Sequence, residues 1–426
     1  MMLLARFTAL VLLAASTAAA AEPAVPLENF PKLDAQRDWP WWRGPQRNGE
    51  AQSAAPVKLS LEGNLRWQAD VPGRGHSSPI VVGDRVFLTT ALEAEKRHLV
   101  LAYSRASGER LWSTEVNSGG FPAKNHAKNT EASSTAACDG ERVYATFYHH
   151  DAVHLSALSL EGRVLWSKSA GAYRPRRYEY GYAPSPLLYR DTVIVAAEYD
   201  GDSYLAAFEG ESGKEKWRIE RPRNITFSSP VVAEVAGREQ LLISGARTVA
   251  AYDPASGREL WNVSGTSAAT CGTLVWENDL VFASGGYPES ETLAVRADGG
   301  GEVLWRNRQK CYEQSMLVVD GYLYAFTDSS VFYCWRTSDG AEMWKERLEG
   351  PISASPVLAG GHIYWANERG KLYVLRANPE RFELVAENQI GDDSFASPAI
   401  LGGQIFLRVG QGGRGGRQEK LYCFGE

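Results

Sequence analysis

Seven copies of Gly-x-x-x-Trp run through this chain: Gly63–Trp67, Gly108–Trp112, Gly162–Trp166, Gly213–Trp217, Gly257–Trp261, Gly301–Trp305 and Gly340–Trp344. In each the glycine suits a hairpin turn that needs positive φ, and the tryptophan four residues on falls on a short strand. An alternating apolar run precedes most copies, as in residues 98–104 (HLVLAYS) and 203–209 (SYLAAFE). Further upstream lies a second strand pair, usually opened by Ser-Pro and joined by an acidic or glycine turn, as in residues 78–90 and 355–367. Four short strands per unit at this spacing is the sequence form of a propeller blade. A composition with 13 Trp and 19 Tyr among 41 Gly and 20 Pro agrees with an all-β chain.

Unit starts near Ser78, Ala136, Ser185, Ser229, Gly272, Met316, Ser355 and Ser397 make eight repeats. The last has only three strands, ending at residues 421–424, while residues 64–71 form a strand with no unit ahead of them. Joining these fragments completes the eighth blade and removes an open edge. The expectation is an all-β, eight-bladed β-propeller of four-stranded antiparallel blades over residues 63–426, closed by the N-terminal strand. The seventh unit departs from the pattern, with Arg381 and Val385 where others carry Gly and Trp. Trp67, Trp112, Trp166, Trp217, Trp261, Trp305 and Trp344 are assigned to packing between blades.

The first 21 residues place Arg6 before a short apolar run that ends in small residues, the pattern of a cleaved signal peptide. No cysteine follows the run to carry a lipid. The mature chain is expected in the periplasm or outside the cell, without a transmembrane segment. Residues 22–62 read as a leader that packs on the propeller. The balance of 45 Lys+Arg against 51 Asp+Glu, net −6, gives no general attraction for nucleic acid. Five cysteines show no CxxC spacing. Cys271 and Cys311 precede the inner strands of consecutive blades and are candidates for a disulfide, whereas Cys334 and Cys423 sit at apolar strand positions and read as core thiols.

The repeat, with its (Ser/Asp)-Gly-x-x-x-Trp ending, resembles the pyrroloquinoline-quinone-like propeller repeat across residues 63–424. The segment at 38–49 (DWPWWRGPQRNG) resembles the leader of many exported propellers of this type. The resemblance implies two kinds of function: quinone-dependent alcohol and glucose dehydrogenases, and the periplasmic propeller subunit of the outer-membrane assembly machine, which binds protein. The dehydrogenases carry a disulfide between adjacent cysteines over the quinone, a Trp platform and a calcium site; this chain has no Cys-Cys dipeptide. No cofactor is therefore expected, pyrroloquinoline quinone with calcium being the alternative.

Two long inter-blade segments, 117–134 and 171–185, follow consecutive blades and should meet on the channel face. They supply Lys124, Asn125, His126, Lys128, Arg174, Arg176, Arg177, Tyr178, Tyr180 and Tyr182 as candidate ligand-binding residues, and His76 enters the same face from the closing blade. Arg forks and Tyr rings suit carboxylate, sulfate or sugar ligands and equally a protein hot spot, while two loops simply packing on each other is the plain alternative. His149, His150, Asp151 and His154 suggest a metal, but neighbouring side chains on a strand point to opposite faces, so no metal site is expected. Residues 410–420 resemble an RGG nucleic-acid segment and are read instead as a flexible turn between two strands of the last blade. No nucleophile elbow, phosphate loop or HExxH motif occurs, so no catalytic residue is assigned.

The reading at this point is an exported, non-catalytic binding or scaffold propeller that engages a protein or carbohydrate partner through its channel face. The alternatives are a quinone-dependent oxidoreductase, a polysaccharide-active enzyme, and a soluble subunit like the outer-membrane assembly factor. Oligomeric state is left open.

Overall fold

Eight innermost strands (Ile80–Val82, Ala137–Cys138, Leu187–Tyr189, Val231–Val235, Val275–Glu277, Leu317–Val319, Val357–Ala359 and Ala399–Leu401) each open a four-stranded antiparallel sheet, and the eight sheets form the blades of one propeller. The computed structural model describes residue 27, residues 29–413 and residues 416–425, so the expected signal segment lies outside the described residues. Among the described residues no helix is long and apolar enough to cross a membrane.

The ring closes where the repeat count requires. Strand Leu65–Val71 pairs antiparallel with Gly416–Gly425 and becomes the outer strand of blade eight. In this register Trp67 lies opposite Cys423 and Asp70 opposite Lys420, with an ion pair joining the latter two.

The Gly-x-x-x-Trp unit makes the joint between blades. The Trp67 indole donates from Nε1 to the Arg105 carbonyl in blade one, at 2.8 Å, and lies on Gly108, the glycine of the next copy. Gly108 has φ +73°, and a Cβ there would enter the indole, so it is glycine for two reasons. The same contact recurs as Trp112 on Gly162, Trp166 on Gly213, Trp217 on Gly257 and Trp305 on Gly340. Trp261 departs: its Nε1 turns to Gln240 of its own blade, at 2.7 Å, and Val263 rather than the indole lies near Gly301. The residue before the tryptophan is bulged out of register, which leaves Leu111 and Leu165 exposed on the rim.

A second seam runs around the axis, where each inner strand begins. The backbone N–H of Ser78 donates to Thr135 Oγ1, that of Thr135 to Ser185 Oγ, and that of Ser185 to Ser229 Oγ, at 2.9, 3.0 and 2.9 Å. Thr273 donates to Ser315, Ser315 to Ser355, Ser355 to Ser397, and Ser397 back to Ser78, at 3.1, 2.9, 2.8 and 2.9 Å. Five of these hydroxyl residues precede a proline, which can start a strand because no ladder bond is needed there.

The leader crosses the end of the channel where the first two strands of each blade turn. Trp39 pairs with Val81 in blade one, the Pro40 carbonyl accepts from the Cys138 amide in blade two, and Arg47 donates to the Leu188 carbonyl in blade three. Arg43 reaches the Met316 carbonyl of blade six, and Ala51 the Leu358 carbonyl of blade seven. Leu27 and Phe30 are buried too, the latter edge-on to Trp41.

One expectation about a loop is corrected. Pairing in blade eight continues out to Gly413 opposite Gly416, so most of residues 410–420 is hairpin strand rather than flexible turn. Arg417 is fixed to Asp393 at 2.6 Å and to Glu419 at 2.8 Å, which a freely moving linker would not permit.

Candidate functional site

Two residues before each hydroxyl of the axial seam stands one side chain per blade: His76, Ser133, Ala183, Phe227, Cys271, Glu313, Ser353 and Phe395. All eight line a cavity of about 180 Å³ in the channel. Residues two apart on an extended chain point the same way, so the seam and this tier stack along the axis. Ser78, Thr135, Ser185 and Ser229 of the seam form the lower wall, and the Trp42 indole from the leader is the floor. With that indole tied to Thr273 across the leader's end of the channel, the cavity has the form of a cup facing the inter-blade loops.

The tier is chemically divided. Phe395 of blade eight and Phe227 of blade four stand half a turn apart. Phe395 stacks on His76 with ring centres 4.2 Å apart. Between the two phenyl groups, on blades five to seven, come Cys271, Glu313 and Ser353, with Tyr312 beside them. The Ser353 hydroxyl, with one proton to donate, lies between the carboxylates of Glu313 and Glu368, 2.7 Å from the latter. Lys128 reaches in from the 117–134 loop, its Nζ 2.7 Å from Glu368 and 3.6 Å from Glu313. Burial raises the Glu313 carboxyl above its usual range, against the Ser353 hydrogen bond and the Lys128 charge. Burial and the cations Arg74, Arg408 and Arg417 push His76 well below its usual value, so its imidazole is neutral. Two of those cations are themselves balanced: Arg408 pairs with Glu419, and Arg417 with Asp393.

The two long segments do meet. The Asn129 side-chain amide donates to the Tyr180 carbonyl, Lys124 pairs with Glu179 at 2.8 Å, and the His126 and Tyr180 rings lie 4.7 Å apart. Of the residues singled out from the sequence, His76, His126, Lys128 and Tyr180 line the cup. Lys124 and Asn125 instead hold the loops, the latter donating to Glu131 at 2.9 Å.

Arg174, Arg176 and Arg177 are exposed on the rim and outside the cavity; Arg174 faces Asp151 at 3.7 Å, and the backbone amides of Arg176 and Arg177 donate to Asp200. Tyr178 packs edge-on against Tyr287, at 5.4 Å. Tyr182 is corrected to a core residue: it is buried and donates its hydroxyl to the Ala196 carbonyl.

The proposed Cys271–Cys311 bridge is also corrected. Both thiols are free, because Cys271 lines the cup beside Tyr312 while Cys311 packs in the apolar core around Phe282 and Trp305.

His149, His150 and His154 do cluster, because the turn at His150 and Asp151 has positive φ, and His98 of blade one joins them. Ring centres are 3.8 Å apart for His149 and His154, 5.1 Å for His149 and His150, and 6.0 Å for His98 and His149. Among the described residues no three His, Cys, Asp or Glu side chains are arranged to hold a metal ion. His98 is sandwiched between Phe121 and Phe147, at 4.4 Å from each.

Trp42, Phe227, Tyr312, Glu313, Ser353 and Phe395 escaped the sequence reading as site residues. The signal was present: the position two before each strand-opening Ser or Thr varies from blade to blade, with six residue types over eight blades.

Residues 57–181, 96–346 and 289–380 match the family described as outer membrane protein assembly factor BamB. The BamB of Bordetella pertussis is 22% identical over 81% of this chain and 84% of its own length. A quinone alcohol dehydrogenase subunit of Gluconacetobacter polyoxogenes is 24% identical over 58% of this chain; the chain spans 33% of that relative's length. The quinohemoprotein alcohol dehydrogenase of Comamonas testosteroni superposes with a TM-score of 0.63 at 13% identity, covering 95% of this chain and 83% of that one, a likeness of fold. The cup does not fit the quinone and calcium pair of such dehydrogenases. Calcium takes six to eight oxygen ligands, yet the convergent carboxylates of Glu313 and Glu368 are held by the Lys128 ammonium, and Cys271 has no neighbouring cysteine. Taken with the eight closed blades, the match over residues 57–380 shows that the chain belongs to the pyrroloquinoline-quinone-like propeller family described by BamB.

Proposed function

We propose that this chain is an exported binding propeller that captures a partner by taking a terminal group of it into the cup. One observation carries the reading. Every blade has the same packing needs, and the repeat answers them with Gly and Trp in all units but the seventh and with Ser or Thr at every seam position. At the tier above the seam it places His, Ser, Ala, Phe, Cys, Glu, Ser and Phe in turn. Packing of a repeat does not demand such variety; recognition of an asymmetric ligand does. Binding rather than turnover is favoured because the ammonium at the cup, Lys128, is already engaged by the carboxylates of Glu368 and Glu313.

A thermal-shift screen of sugars, amino acids, short peptides, nucleosides and quinones against the purified chain tests this. At least one class should raise the melting temperature of the wild type and leave Phe395→Ala with Glu313→Gln unmoved. A hit that stabilises both proteins equally would remove the cup from consideration. Peptide capture is the second reading, favoured by the match to an assembly factor over most of its length; it predicts a hit among the peptides.

A further inference from the structure

An aromatic track leads from the rim of the propeller down into the cup. Tyr287, 46% exposed, meets Tyr178 at 5.4 Å; Tyr178 meets Tyr180 at 5.8 Å; Tyr180 stacks over Phe227 at 6.3 Å. Phe227 is one of the two opposed phenyl groups of the tier, and Phe395 with its stacked His76 is the other. The 171–185 segment supplies the two middle rings, and Tyr178 is held at φ +50° to present its own. That backbone conformation is uncommon for a non-glycine residue.

Three features restrict what could occupy this arrangement. Phe227 and Phe395 line opposite sides of the cup, the first stacked with Tyr180 and the second with His76, and apolar walls so placed suit a ring whose two sides are apolar. Between them the edge is polar: the Glu313 carboxylate, Lys128, Ser353 and the seam hydroxyls of Ser78, Thr135, Ser185 and Ser229. Each of those four hydroxyl oxygens already accepts a backbone N–H, so its proton is left for a ligand or water. Hydroxyl donors on blades one to four thus face carboxylate acceptors on the side of blades six and seven. Finally, the fixed cations already hold carboxylates, Lys128 those of Glu368 and Glu313 on one side and Arg408 and Arg417 those of Glu419 and Asp393 on the other. An anionic ligand would have to break one of these pairs.

We infer that the cup takes the terminal residue of a neutral oligosaccharide, held between Phe227 and Phe395, with the following residues lying on Tyr178 and Tyr287. A pyranose ring has apolar C–H faces and a rim of hydroxyls that both donate and accept, matching each feature. The closed floor at Trp42 makes it a chain end rather than a chain interior. This inference rests on the cup being the binding site.

The test is calorimetric titration of the full chain with neutral gluco-, xylo- and manno-oligosaccharides of one to four residues, beside adenosine and riboflavin as planar rings and a short peptide mixture. For one sugar series, affinity should rise about tenfold or more from one to three residues, the gain expected of one or two added aromatic contacts. Tyr287→Ala should shrink that gain about tenfold, and Phe395→Ala should abolish binding while circular dichroism shows an unchanged fold. Phe395→Tyr, which keeps the ring, should restore it. Adenosine, riboflavin or peptide binding that Phe395→Ala removes, with no sugar bound at millimolar concentration, would overturn the sugar inference and leave the cup as the site. Sugar binding untouched by both alanine variants would overturn the cup as well.

Discussion

The Trp42 indole donates from Nε1 to Thr273 Oγ1 at 2.8 Å, across 231 residues of chain. The other seven hydroxyls of the axial seam each accept a backbone N–H from a neighbouring blade, whereas Thr273 accepts the leader. One side chain therefore both completes the seam and closes the channel.

Trp42→Phe should keep a floor and lose one hydrogen bond, a cost of about 1 kcal/mol. Trp42→Ala should cost about 3 kcal/mol and open the channel at both ends. Urea unfolding separates the two. Equal stability of both variants and wild type would mean that the leader rests on the propeller without sealing it.

Trp67 and Gly108 should be coupled. Trp67→Ala is expected to cost about 3–5 kcal/mol. Gly108→Ala must accept both left-handed strain and the indole in its path. In the Trp67→Ala background only the strain remains, about 1–2 kcal/mol. The double-mutant cycle should thus show an interaction of at least about 1 kcal/mol. Additive costs would show that the indole moves aside freely.

Acid should weaken the interface of blades one and two. Burial first, and then neighbouring imidazoles, push His98 down to about 3 and His149 down to about 4. The unfolded chain takes up these protons near pH 6.5, so it binds more protons than the native state below that pH, and stability falls as pH drops from about 6.5 toward 4. His98→Phe continues the stack between Phe121 and Phe147 without a titrating group. Between pH 7 and pH 4.5 it should lose roughly 2–3 kcal/mol less than wild type, read from urea unfolding at the two pH values.

Lys128→Ala should convert the cup into a cation site. It frees the carboxylates of Glu313 and Glu368, already tied through Ser353, from the ammonium between them. Like charges so placed favour a bound cation. Calcium chloride should raise the melting temperature of this variant relative to chelator and leave wild type unchanged. A wild type that responds equally to calcium would refute the ammonium's role.

The repeat was legible because its physical demands recur: a turn that needs glycine, an indole that needs the next glycine, a strand that alternates. Counting these copies determined eight blades, their starts to within three residues, and closure by Leu65–Val71. The meeting of segments 117–134 and 171–185 followed from the same order, since consecutive blades are neighbours. Lys128 and His76 could be picked out by residue type, yet so could Arg174, Arg176 and Arg177, which face solvent, and Tyr182, which is core. Chemical type does not say which way a loop side chain turns.

The cup itself was decided by tertiary structure. Glu313 and Lys128 are far apart in the chain, and nothing local to either brings them within 3.6 Å; the ring of blades does. Trp42 lies ahead of the first blade and becomes the floor only because the leader spans the channel end. Repetition fixes what every blade must share, so the sequence alone determined the propeller; a site at its axis is a sum over eight distant positions, which exist as one place only after the ring has closed.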